Sequence, residues 1–174
     1  MQLSPPRAHR ATQVSLVAFT VGAVRYAIHI AEVREIVTPA SLTILPHMPE
    51  GIAGVADHRS EVVPIIDMRT RFGLPPSERP KKIKWVLVGV AGRTIGLIVD
   101  DVVGVVRIHS GDFRGPPDLG SGRQVQGIVS VTTHDGKLLF VLDLSELEVL
   151  ASQIPQSSPA GASPDEDADR VDRS

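Results

Sequence analysis

The chain has 174 residues, room for one domain or for two small lobes. Its 18 basic and 20 acidic residues leave a formal charge of −2, so no polybasic footprint points to nucleic acid or to a membrane surface. The absence of Cys excludes disulfides, thiolate chemistry and thiol-ligated metals, and the absence of Asn excludes N-glycosylation. Val and Ile together number 36 against six aromatic residues, a balance that favours strands and disfavours base-stacking surfaces. No apolar run approaches the ~18 residues of a membrane span, and the N-terminus has no hydrophobic signal core, so a cytoplasmic protein is expected.

Residues 1–13, with Pro5, Pro6, Arg7 and Arg10, read as a flexible lead. The body then follows a period of two. Strands are expected over 14–21 and 24–30, with Gly22 between them, and over 51–56 and 61–66, joined by Asp57-His58-Arg59-Ser60. A turn is expected around 31–35. Asp67 caps a short helix over 68–72, which Gly73, Pro75 and Pro76 terminate. Strands follow over 84–90 and 94–99, with Ala91-Gly92 at the turn, then over 102–108, 125–131 and 138–142, with Asp135-Gly136 between the last two. A final helix is expected near 145–150, capped by Asp143 or Ser145. Residues 151–174, rich in Ser, Pro and Ala and then acidic, carry −3 and are expected to be disordered. Many short strands with few helices indicate barrels or a sandwich.

The body repeats itself. A shift of 69 positions lays residues 14–37 on 83–106 without a gap. Ala27 meets Gly96, Glu32 meets Asp101, and Val33, Ile36 and Val37 meet Val102, Val105 and Val106. Further on, G-V-A-D…V-V-P-I-I-D-M (54–68) resembles G-I-V-S…L-L-F-V-L-D-L (127–144), with a longer turn in the second copy. Two pseudo-repeated β lobes are expected, roughly 14–82 and 83–150.

Chemistry-bearing residues do not converge on a reaction. The six His (His9, His29, His47, His58, His109 and His134) have no ligand spacing, and no metal or cofactor is expected. Asp57, His58 and Ser60 are sequence neighbours, whereas triad members converge from separate elements, and Ser60 lacks a nucleophile-elbow context. Asp100 and Asp101, adjacent in a strand, point to opposite faces and read as turn or edge residues. Gly111–Arg123 lacks the strand-then-helix pattern of a phosphate loop and reads as an exposed loop. A binding module remains, not an enzyme.

The motifs carry a resemblance. F-T-V-G-A-V-R-Y-A-I-H-I-A-E-V-R-E-I-V (19–37), then the stretch from Leu42 to Leu74, I-G-L-I-V-D-D-V (95–102) and Q-G-I-V-S-V…L-L-F-V-L-D-L (126–144) together resemble a CheW-type domain over about 14–150. The resemblance implies two five-stranded SH3-like β-barrels with a shared hydrophobic core and short helices. It implies a non-enzymatic adaptor that couples the cytoplasmic tip of a chemoreceptor to the regulatory domain of a CheA-type histidine kinase within receptor arrays, beside other CheW-like proteins. A hub or decoy that binds only one of those partners is the alternative.

Carried over by position, Val33, Glu35, Ile36 and Arg59 match the receptor-contacting segment, with simple burial or a loop salt bridge as the plain alternatives. Lys84 and Trp85 open the strand near the inter-lobe groove, where Trp85 reads either as a contact anchor for the kinase or as core. Two departures stand out. The family's N-L-R-G turn reads D-H-R-S at 57–60, and Ser60 in place of glycine disfavours a positive-φ turn. The aromatic expected near residue 125 is replaced by Gln124-Val125-Gln126.

Overall fold

Apolar side chains at alternate positions, closed by a two-residue turn, generate the first hairpin. In the computed structural model, which describes residues 12–116 and 127–154, β1 (Gln13–Val21) pairs antiparallel with β2 (Val24–His29). A 3-10 turn at Ile30–Glu32, in which Glu32 accepts the His29 N–H, feeds β3 (Val33–Val37). The sequence pattern missed β3 as a strand. It is five residues long and none of them is fully buried, so no apolar alternation marks it. Then come β4 (Ile52–His58), β5 (Glu61–Asp67), α1 (Met68–Arg71), β6 (Lys84–Val90), β7 (Arg93–Val99), β8 (Asp101–His109), β9 (Ile128–His134), β10 (Lys137–Leu142) and α2 (Ser145–Ser152). Asp67 caps α1 as expected, its carboxylate accepting the Arg69 and Thr70 amides. The fold continues past residue 150: α2 ends at Ser152, and Ile154 is buried with Ile52 and Val55. Residues 1–11, most of the expected lead, and 155–174, most of the expected tail, lie outside the described residues, as do Gln124-Val125-Gln126.

The strands form two five-stranded sheets. Sheet A has the order β8-β1-β2-β10-β9 and sheet B the order β3-β6-β7-β5-β4. Replacing β1–β5 by β6–β10, and the reverse, turns one order into the other, so the repeat governs the whole topology. Each sheet nevertheless takes strands from both sequence halves, and a boundary between residues 82 and 83 does not separate the sheets. The exchange starts at the third strand. β3 leaves the hairpin that precedes it and pairs with β6, while its repeat partner β8 pairs with β1.

Local details repeat as well. Gly51 and Gly127 both take positive φ, and their carbonyls accept the Asp67 and Asp143 amides, each at 2.8 Å. From here on the shift is 76, not 69, and the extra residues fall between β8 and β9. The β4–β5 and β9–β10 turns have equal length, with His58↔Glu61 and His134↔Lys137 closing them, so the second copy does not have the longer turn expected above. Bulges recur too: Arg34 and Val103 are skipped in their ladders, as are Ala53 and Val129.

Neither sheet closes by a full ladder. In sheet B the segment after β3 reaches across to β4 through the Thr43↔Val55 bridge, and in sheet A the segment after β8 reaches β9 through Arg114↔Val131. Each sheet is therefore an SH3-like curl sealed by one bridge. Three larger apolar clusters follow, beside the small one around Ile154. One inside sheet A holds Leu16, Ala27 and Leu139, and one inside sheet B holds Ala56, Val63, Ile65, Trp85 and Leu87. The largest lies between the sheets, with Phe19, Ile28, Ile66, Val86, Val88 and Leu97 among its members. Of the few aromatic residues, Tyr26 stacks on Phe72 at 4.7 Å between centroids and also contacts Phe19 and Phe140, tying α1 to sheet A.

Candidate functional site

β3 is an edge strand, so one of its flanks has no backbone neighbour. Its register decides where the predicted residues point. Val33 and Ile36 sit opposite Val88 and Val86, which belong to the core between the sheets. Glu35 and Val37 sit opposite Leu87 and Trp85, which belong to the core inside sheet B. The bulge at Arg34 makes this switch of faces. Val33 is half-buried against the shared core, whereas Ile36 is 42% exposed at its rim.

Glu35 reaches the opposite edge of its own sheet. Its Oε2 lies 3.0 Å from Arg59 Nη2 and 3.2 Å from His58 Nε2. β3 and β4 are the two outer strands of sheet B, so this carboxylate spans the seam left by the open ladder. Arg59 itself is 75% exposed, and only one end of its guanidinium is committed to Glu35. In water such a pair contributes about 0–1 kcal/mol to stability, so it mainly fixes the orientation of a charge that stays exposed to solvent.

The turn carrying Arg59 keeps the left-handed conformation that Ser60 was expected to disfavour. Arg59 has φ +52° and Ser60 φ +65°, close to Asp135 and Gly136 in the repeat at +50° and +70°. Asp57 Oδ1 accepts the Ser60 N–H at 3.1 Å and supports this geometry. Asp57 and His58 diverge along the strand, and His58 meets Glu35 instead of Ser60, so the three do not form a triad.

The second predicted pair separates. Trp85 is only 5% exposed, packed among Val63, Ile65 and Leu87 inside sheet B, and acts as core instead of a contact anchor. The indole sits opposite Val37 on the inward face of β6. Lys84, one residue earlier, points to the other face, and its Nζ donates to Thr38 Oγ1 at 3.3 Å. It therefore stands at the end of β3, on the rim that Ile36 shares. Sequence reasoning missed two exposed apolar residues of the same lobe, Val62 on β5, opposite Asp57, and Ile44 next to the Thr43 bridge. For Val62 the signal was available: its neighbour Val63 is buried, and alternation places Val62 outside.

A polar cleft of about 330 Å³ lies elsewhere, around Arg69, Arg79, Lys82, Asp100 and Asp101. Its Arg69–Asp100 and Lys82–Asp101 pairs largely neutralise it. No cluster of three or more potential metal-ligating side chains occurs among the described residues, and none of their helices is long and apolar enough to cross a membrane.

Two interleaved SH3-like curls related by an internal repeat, with an apolar and charged rim at one open seam, define a pseudo-symmetric β module. The chain belongs to the CheW-like domain family, whose model matches residues 15–150. It is 29% identical over 132 residues to the chemotaxis protein CheW of Rhizobium meliloti, covering 76% of this chain and 85% of that protein. It is 33% identical over 138 residues to the protein FrzA of Myxococcus xanthus, covering 78% and 85%. Among solved structures, the scaffolding protein TtCheW from Thermoanaerobacter tengcongensis superposes with a TM-score of 0.71 at 28% identity, covering 76% of this chain and 90% of that one.

Proposed function

We propose that the protein is a non-enzymatic cytoplasmic adaptor of chemotaxis signalling, coupling the tip of a methyl-accepting type chemoreceptor to the regulatory domain of a CheA-type histidine kinase. Family membership over residues 15–150 supports the adaptor reading. The observation that carries the receptor site is the Glu35–Arg59 pair at the seam of sheet B, with Ile36 and Val33 on the adjoining rim. A receptor tip is a helical hairpin. Apolar side chains along an edge accept one face of such a helix, and a positioned guanidinium fixes its register by meeting an acid or a carbonyl. Lys84, on the same rim, is the second charge offered to a partner.

Contacts of this size correspond to micromolar affinity, about −8 kcal/mol. Titration of the receptor cytoplasmic fragment tests the assignment. Arg59→Glu is expected to weaken binding about tenfold or more, roughly 1.4 kcal/mol, with the melting temperature lowered by no more than about 4 °C through the lost Glu35 pair. Equal affinity for both chains would remove Arg59 from the site.

A further inference from the structure

The repeat makes it possible to compare the two curls position by position, and one end of sheet A differs from its counterpart in charge chemistry. In sheet B, Ala56 pairs with Val63, and extending the parallel β5–β7 register two residues back from Ile65↔Gly96 sets Thr94 beside Val63. Buried Thr94 accepts a hydrogen bond from Arg34 and donates one to Glu61 Oε2 at 2.9 Å, so a guanidinium, a hydroxyl and a carboxylate satisfy one another. The equivalent row in sheet A is Arg25, Leu139 and Thr132: Leu139 pairs with Thr132, and Leu139 and Arg25 each directly precede the pair Phe140↔Tyr26. Neighbours across a sheet share a face, so Arg25 and Thr132 flank Leu139 on the inward side.

This row holds a guanidinium and a hydroxyl but no acid. The position of Glu61 is taken by Lys137, and that of Arg34 by Val103. Asp135, the acid of the adjoining turn, is largely exposed and paired with His134 at 3.3 Å. Arg25 Nη1 and Thr132 Oγ1 are both enclosed, and neither has a hydrogen-bond partner among the described residues. Buried polar atoms are nearly always paired, and a guanidinium most favours a carboxylate.

We propose that the Arg25–Thr132 end of sheet A is a carboxylate-binding site, completed by an acidic side chain from outside the described fold. Its source is either this chain's own acidic segment at Asp165–Asp172 or another molecule, and the two are separable.

Thermal unfolding of the full chain tests the proposal. Lys137→Glu supplies the acid at the position of Glu61 and is expected to raise the melting temperature by about 2–4 °C. That rise is expected to vanish when Arg25→Met is combined with it. Sodium acetate is expected to stabilise more than sodium chloride of equal ionic strength, and only while Arg25 is present. If acetate acts on the unaltered chain, the carboxylate comes from another molecule. If it acts only after Asp165, Glu166, Asp167, Asp169 and Asp172 are replaced by their amides, the chain's own acidic segment fills the site. The proposal is overturned if acetate adds nothing beyond chloride in either chain, or if Lys137→Glu has the same effect with and without Arg25.

Discussion

Ser60 holds φ +65° in the turn that presents Arg59. A side chain in that region costs about 1 kcal/mol that glycine avoids, so Ser60→Gly is expected to stabilise the protein by roughly that amount in urea unfolding while leaving Arg59 in place. No gain would mean that the Asp57 carboxylate bonded to the Ser60 amide already offsets the strain. A second residue-scale expectation concerns acid. Backbone and side-chain hydrogen bonds from Ser145 hold the Asp143 carboxyl below its ordinary value. A depressed folded-state value stabilises the fold above the unfolded pKa, and that contribution is lost as pH falls through the folded one. The gap in melting temperature between the unaltered chain and Asp143→Asn is thus expected to narrow on acidification; a constant gap would contradict this. At this scale the sequence was partly legible. The Asp67 cap was readable from local order, whereas the positive φ of Ser60 was not, because a hairpin with the pairs Asp57↔Val62 and His58↔Glu61 imposes the turn whatever residue fills it.

Between elements, the firmest polar tie is Arg69 on α1 with Asp100 at the β7–β8 junction. Nε and Nη2 meet the two carboxylate oxygens at 2.6 and 2.8 Å, and Oδ2 also accepts the Gly22 N–H at 2.6 Å. One carboxylate so joins the helix after β5, the crossover into β8 and the β1–β2 turn of sheet A. Both side chains are mostly shielded, and Arg69→Ala is expected to cost about 2 kcal/mol in denaturant unfolding. Arg69→Lys is expected to recover less than half, since an ammonium lacks the fork that meets both oxygens. Equal stability of Arg69→Lys and the unaltered chain would contradict the bidentate account. Sequence alone reads Asp100 and Asp101 as solvated edge residues. That reading holds for Asp101 and fails for Asp100, whose partner is 31 positions away and is brought near only by the strand exchange.

For the whole molecule, the period-two alternation located nine of the ten strands within a few residues, and the repeat, the most informative feature of the sequence, related them as two copies. What it concealed was the exchange, because Val/Ile-rich strands such as β3 and β8 match either sheet equally well by side chain. The exchange has a consequence. Chain halves cut between residues 82 and 83 are each expected to lack native structure by circular dichroism and to regain it when mixed, since each sheet needs strands from both. Independent folding of either half would contradict the interleaving. Trp85 and Arg59 mark the same limit on the functional side. Arg59 was read by its match to a family position and Trp85 by its place near the inter-lobe groove, and it is burial that separates the core indole from the exposed guanidinium.

Co-sedimentation with receptor cytoplasmic fragment and kinase, separately and together, tests the adaptor reading most directly. The unaltered chain is expected to sediment with each partner and with both at once, and Arg59→Glu to lose the receptor while keeping the kinase. Sedimentation with only one partner class, or an Arg59→Glu chain that retains the receptor in full, would contradict the account.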